Sequence, residues 1–309
     1  MGRVVSRRSF LAMGLAAGAG TLLGGGVSGS ASAAADSARA GLPDLCVVSG
    51  TGYYGNTLKA VEAIGGIGRF VGRGSKVGLL VNHPFRNLGT HVNPEIALAV
   101  LKMCHEAGAQ TVYDLKAAPS GYWQRSPRAK ELAGEIRALR SGAEYLEVGV
   151  PKGRFLKKGE ILKELLEVDV LINVSIAKDH EGTRFSGILK NMMGAATYST
   201  CRFFHFGHGR GGWYGDVEFL SQCVADINLL RRADLSISDC TELVTTNGPF
   251  GPGKLARPQK IVAGVDPVAV DAYCTRFLGL DAGAVGMIRL SAASGLGQAD
   301  LRRTKIVEL

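Results

Sequence analysis

The sequence predicts an α/β fold with a mainly parallel sheet flanked by helices. Three observations lead there. Short runs of apolar residues alternate with helical patterns along the chain. Several of those runs, KVGLLV and VDVLINV above all, are continuously apolar rather than alternating, as strands buried on both faces must be. Asp266-Pro267 also reads as a helix start placed directly after a strand, with Asp as cap and Pro at the first helical position.

Taken in order, Leu45 to Val48 reads as a strand, Thr57 to Ile64 as a helix and Lys76 to Val81 as a buried strand. Pro94 to Ala107 repeats Ile96, Val100 and Cys104 every fourth residue, which marks one face of a helix. Thr111 to Asp114 is a strand, Arg128 to Leu139 an amphipathic helix and Tyr145 to Val148 a strand. Ile161 to Leu166 reads as a helix and Val168 to Val174 as a buried strand. Gly215 to Leu230 is helical, Leu235 to Ser238 and Lys260 to Val265 are strands, a helix runs from Pro267 to about Leu278, and Lys305 to Leu309 closes the chain as a strand. Such an order fits one sheet or two α/β lobes.

Composition bounds the function classes. Over 309 residues, 46% are hydrophobic and 20% charged, which suits a globular domain large enough to fold without disulfide or metal staples. The 43 glycines follow no G-X-Y period, which excludes collagen. Ser6-Arg7-Arg8-Ser9-Phe10-Leu11 is a twin-arginine pattern, followed by a mild apolar run to Leu23 and the small-residue site Ala31-Ser32-Ala33. Residues 1–33 therefore read as an export signal, with 34–43 as a linker and 44–309 as the folded domain. The expected location is the periplasm or another exported compartment, with the twin-arginine translocase as partner. The apolar run is too short and too rich in glycine for a membrane span of about 20 residues. Without Arg3, Arg7 and Arg8 the mature chain keeps 33 basic and 27 acidic residues, a net charge of +6. No basic stripe interleaved with aromatics accompanies that excess, so nucleic acid is not an expected partner.

The six cysteines, at 46, 104, 201, 223, 240 and 274, form no C-x-x-C, and a classical iron–sulfur cluster is not expected. Buried free thiols explain their apolar settings. Two stretches fit G-x-G-x-x-G, at Gly50, Gly52 and Gly55 and at Gly207, Gly209 and Gly212. The strand after the first ends in Asn82-His83 with no acid for a ribose, so a dinucleotide is not expected. His205 and His208 stand three apart in a Gly-rich loop, a spacing open to a metal or to a mobile lid.

Ligands in open α/β sheets bind beyond the carboxyl ends of the strands. Four such ends here carry polar groups: Asn82-His83-Pro84, Lys178-Asp179-His180-Glu181, Asp239 and Asp266. Asn82-His83 also suits a turn before Pro84, and Asp266 a helix cap. Ser186 heads a short helical stretch carrying Lys190 and Asn191. Donors for an anion and acid–base groups are both present, so an anionic small molecule or a metal-associated ligand is the expected occupant.

From Val168 the sequence VDVLINVSIAKDHEGTRFSGILKNMMG resembles the central signature of the domain-of-unknown-function family DUF362, a strand ending in Lys-x-His followed by a Lys-Asn-x-x-Gly segment. KVGLLVNHP, NPEIALAVLKMCHEAGAQTVY, Asp226-Ile227-Asn228, Gly248-Pro249 and AGVDPVAVDA extend the resemblance over about residues 45–309. By position it implies site roles for Lys178, His180, Lys190, Asn191, His208, Asp239, Asp266 and Asp271. In an enzyme, His180 or His208 would be the acid or base, Lys178 and Lys190 would neutralise a carboxylate or phosphate, and Asp239 would orient a histidine. A non-catalytic binding module and an accessory factor for maturation of an exported redox protein remain open beside that reading. Asn82-His83-Pro84 departs from the family's Lys-Pro-Asn, and Asp179 from its Thr. The ferredoxin module of many members is absent, so the resemblance brings no iron–sulfur role. The overall architecture also resembles that of lactate-racemase-like proteins with two α/β lobes.

The export reading has a direct test. Arg7→Lys with Arg8→Lys should leave an uncleaved precursor in the cytoplasm, seen by fractionation and immunoblotting. Normal processing of the double variant would show the signal to be misread.

Overall fold

The computed structural model describes residues 41–207, 209 and 216–309. The twin-arginine segment, the cleavage site, linker residues 34–40 and His208 lie outside those residues. The described residues begin with strand β1 (Leu45–Ser49), helix α1 (Tyr53–Ala63), β2 (Lys76–Val81), α2 (Pro94–Glu106), β3 (Thr111–Asp114), α3 (Ala133–Ala138), β4 (Arg140–Ser141), β5 (Tyr145–Gly149), β6 (Lys158–Leu162) and α4 (Lys163–Glu167). Then follow β7 (Val170–Ile176), β8 (Lys178–His180), β9 (Arg184–Ser186), α5 (Ile188–Asn191), α6 (Tyr198–Phe206), α7 (Val217–Asn228), β10 (Leu235–Cys240), β11 (Leu243–Val244), β12 (Leu255–Ala256), β13 (Lys260–Gly264), α8 (Pro267–Cys274), α9 (Gly286–Ala293) and β14 (Ile306–Glu308).

Eight strands form one sheet in the order β14-β1-β13-β10-β7-β2-β3-β4. All neighbours run parallel except β13, which is antiparallel to both β1 and β10. The other strands pair only in two-stranded ribbons. The described residues therefore make one large sheet rather than two lobes. Alternate residues of its strands feed two cores: Leu80, Leu171 and Val262 pack under α7, α8 and α9 on one face, while Leu79, Ile172 and Ile261 pack under α1 and α2 on the other. β7, at the centre, is buried along all seven residues. That double burial explains why VDVLINV shows no alternation.

Two expected elements differ. Ile161 and Leu162 end strand β6, which pairs with β5 in a hairpin outside the main sheet, and the helix begins only at Lys163. Over six residues an apolar run does not distinguish the two periods. The helix expected from Arg128 to Leu139 is broken: a single 3-10 turn spans Pro127–Ala129, and α3 starts at Ala133. The cysteines are free, and five of the six are buried. No helix among the described residues is long and apolar enough to cross a membrane.

Carboxylates fasten the helix starts. Asp266 caps α8, accepting from the Val268 and Ala269 amides at 2.9 Å, while its second oxygen accepts from Gln298 N at 2.8 Å. Asp271, one turn on, accepts from the Ile188 and Leu189 amides at 2.7 and 2.9 Å. It thus supplies the cap of α5 that Ser186 was expected to give; the N-terminal position there is Gly187, with no side-chain cap of its own. A Cβ on Gly187 would collide with the Asp271 carboxylate, so only glycine admits this contact.

Burial pushes the Asp271 carboxyl up to about 7, against the two amide bonds that favour its ionised form. The folded protein then holds a proton that the unfolded chain, with a carboxyl near 3.9, has released. Stability from this group should fall as pH rises from about 4 to about 7 and stay level above. Asp271→Asn should remove that segment of the pH dependence, measured as urea unfolding free energies of both proteins between pH 4 and 8.

Candidate functional site

Because β10, β7, β2 and β3 are parallel, their carboxyl ends share one rim. Asn82 follows β2 directly, Lys116 lies two residues past β3, and Lys178 two residues past β7. β8 and β9 then form a short hairpin in which Lys178 pairs with Ser186 and His180 with Arg184. Strand periodicity puts Lys178 and His180 on one side, and Asp179 on the other. There Asp179 accepts from Gly248 N at 2.9 Å. The hairpin returns the chain over the rim, and α5 sets Lys190 and Asn191 back against it.

These elements enclose a cavity of about 490 Å³. Asn82, Lys116, Lys178, His180, Lys190 and Asn191 line it, with Ser186, Cys201 and His205. Phe85, Met193, Gly194, Pro249 and Phe250 are the other described residues of the lining, and among the described residues no Asp or Glu is part of it. Lys178 is only 1% exposed. Its Nζ donates to Thr90 O at 2.5 Å and lies 3.5 Å from Asn82 Oδ1 and 4.1 Å from the centre of the Phe85 ring. Asn82 in turn donates to Asn191 Oδ1 at 3.1 Å, and Asn191 Nδ2 donates to Leu80 O and Asn173 Oδ1, both at 2.8 Å. Asn173 Nδ2 closes the series on Ile188 O at 2.9 Å. This ladder of three buried amides locks the strand ends to α5 and fixes which way the Asn82 oxygen points.

The electrostatics are those of crowded cations, Lys178 buried and Lys116 and Lys190 half-buried. Burial, and then the charges of Lys190 and Lys116, hold the Lys178 amine well below the usual lysine range. Lys190 is pushed down to about 8, by burial first and with Lys116 adding to it. Burial also lowers Lys116, with Cys201 and Asp114 acting in the opposite sense. His180 is lowered by burial, then by Lys190 and Lys178, so its ring is neutral at ordinary pH. Its Nδ1 accepts from Gly182 N at 3.0 Å, which leaves the ring proton on Nε2. Lys116 reaches the others across Gly194, where a Cβ would stand 2.9 Å from its Nζ.

The structure thus brings together Asn82, Lys178, His180, Lys190 and Asn191, as the sequence predicts, but not the three aspartates. The Asp239 carboxylate is spent on Asn93 N at 2.7 Å and on Thr241 N and Oγ1 at 2.9 and 2.7 Å, so it fixes the start of α2 and orients no histidine. Asp266 and Asp271 are helix caps rather than ligand contacts. His83, beside Asn82, turns away to Asp114 Oδ1 at 3.3 Å. His208 lies outside the described residues, while His205 reaches the cavity from α6. The sequence reading passes over Lys116, Phe85, Asn173, Cys201 and Phe250. Lys116 was within its reach, since the strand-end rule applied to β3 leads straight to it. Phe85 and Phe250 carry no local signal. Among the described residues no group of three His, Cys, Asp or Glu is arranged to hold a metal ion.

The coupling of the lysines is measurable. In protein carrying 13C-labelled lysine, the Lys190 amine should titrate near 8, and Lys116→Met should raise that midpoint because it removes a like charge. A midpoint unmoved by Lys116→Met would mean that burial alone depresses it.

No curated protein sequence matches the chain. Among solved structures, it is similar to the lactate racemase apoprotein from Thermoanaerobacterium thermosaccharolyticum, at 15% identity and a TM-score of 0.43, over 71% of this chain and 54% of that one. A Thermotoga maritima protein gives 16% identity and a TM-score of 0.40, over 78% and 58%. The chain spans a little over half the length of each. Residues 76–276 match the family described as domain of unknown function DUF362, a span that includes every described cavity residue, and the chain belongs to that family.

Proposed function

We propose that this protein is exported by the twin-arginine route and uses the cavity to bind an anionic small molecule, a carboxylate or a phosphate. The observation that carries this reading is the grouping of Lys116, Lys178 and Lys190 in a cavity whose described lining includes no acid. Ammonium groups so placed repel one another and have lost hydration. An anion supplies the missing charge and accepts charge-assisted hydrogen bonds, which are about twice as strong as neutral ones. His180, neutral with its proton on Nε2, adds a hydrogen-bond donor rather than a resting base. Asn82, itself held by Asn191, accepts from Lys178.

Proton-transfer chemistry is a second reading, and Lys190 is the observation in its favour. An amine pushed down to about 8 is partly unprotonated near neutral pH and can accept a proton from a bound substrate. A binding role without turnover uses the same residues.

Calorimetric titration of the mature chain with inorganic phosphate and with acetate should show binding of at least one of them. Lys178→Met and Lys190→Met keep the apolar stems and should leave circular dichroism unchanged while weakening binding by ~1.5–3 kcal/mol, about 10- to 150-fold. Wild-type affinity in both variants would remove the anion-binding reading.

A further inference from the structure

We infer that the anion carries an aromatic or apolar tail, with its charged end among the lysines and its tail against Phe85 and Phe250 at the mouth of the cavity. This rests on the anion-binding reading above and gives it a substrate class.

The described lining of the cavity is of two chemical kinds. Lys178, His180, Lys190 and the two asparagines make one, while Phe85, Pro249 and Phe250 make the other. A single exposed phenylalanine on a protein surface needs no explanation. Phe250, 59% exposed, differs because its backbone is fixed from two directions. Its carbonyl accepts from Asn87 Nδ2 at 2.7 Å, and the next residue, Gly251, donates to Asn247 O at 2.8 Å. A second tie, from Val244 N to Gly89 O at 3.1 Å, holds the same two chain segments together. An exposed ring on a pinned backbone pays little ordering entropy when a ligand covers it.

That ring is continuous with the charged end. Phe250 meets Phe85 edge to face, with ring centres 5.2 Å apart, and Phe85 is the ring lying 4.1 Å from the Lys178 ammonium. Cation, ring and second ring thus form one contact path from the cavity floor to its mouth. An inorganic ion would engage only the first member. The volume agrees, since about 490 Å³ lies in the range of about 300–1,000 Å³ typical of sites for organic ligands. A molecule with an anionic head and a ring would meet the whole path, and would bury the apolar surface that Phe250 now leaves in water.

The test compares acetate with phenylacetate, and inorganic phosphate with phenyl phosphate, by calorimetry on the mature chain. The phenyl compound should bind at least about tenfold more tightly than its parent anion, the gain from burying part of a ring. Phe250→Ser, at an exposed position, should bring that ratio towards one, and Phe85→Leu should lower it. Lys190→Met should weaken both members of each pair alike and keep the ratio. Equal affinity for parent and phenyl compound, or a ratio unchanged in both Phe variants, overturns the tail and leaves anion binding standing. Failure of all four compounds to bind overturns both.

Discussion

An ammonium group taken out of water costs several kcal/mol unless its hydrogen bonds and charge are met. Lys178 meets the first demand with the Thr90 carbonyl, the Asn82 amide oxygen and the face of Phe85, all neutral partners. The second demand is left to whatever enters the cavity. Keeping an amine there requires the Asn82 oxygen to face it, and that orientation depends on Asn191 and Asn173 behind it. Those amides in turn fix α5 against the ends of β7 and β2. The placement of Lys190 and the closure of the rim are thus tied to the same amide series that faces this one side chain.

Rigidity of this kind is provided by acids away from the cavity. Asp239, Asp266 and Asp271 each accept backbone amides at or near a helix start, and Asp226 does similar service by accepting from Phe155 and Leu156 N at 2.7 and 2.8 Å. These four acids hold backbone, while Lys116, Lys178 and Lys190 line the cavity. Had any of these acids reached the lysines, part of the positive charge would be compensated within the site and its attraction for an anion weakened. Carboxylates spent on amides keep the positive charge uncompensated without loosening the walls. The same economy places a neutral imidazole among ammonium groups, where a second proton on His180 would add to the repulsion.

Much of this was legible in the linear sequence. Continuous apolar runs gave away the strands buried on both faces, because a period of two disappears when neither side sees water. Asp266-Pro267 specified its helix start locally, since cap and first turn are sequence neighbours. Parallel strands bring their carboxyl ends to one rim, and so Asn82, Lys178 and His180 could be grouped before any fold was known. Which way Lys178, Asp179 and His180 face was not legible there, because it is the pairing of β8 with β9 that makes the segment a strand.

What only the tertiary structure decided is where each acid spends its oxygens and which aromatics meet the cations. Asp239 ends a strand just as Lys178 follows one, and nothing in the sequence distinguishes a carboxylate aimed at a ligand from one aimed at Asn93 N. The separation between Asp271 and Ile188 is 83 residues and that between Lys178 and Thr90 is 88, so these bonds exist only once helix and sheet have packed. Phe85 and Phe250 come from loops 165 residues apart and meet at one mouth for the same reason. A sequence determines periodicity, caps and strand ends because these depend on neighbours within a few residues. Hydrogen-bond direction and the pairing of distant side chains depend on packing, which brings together residues that share no local pattern.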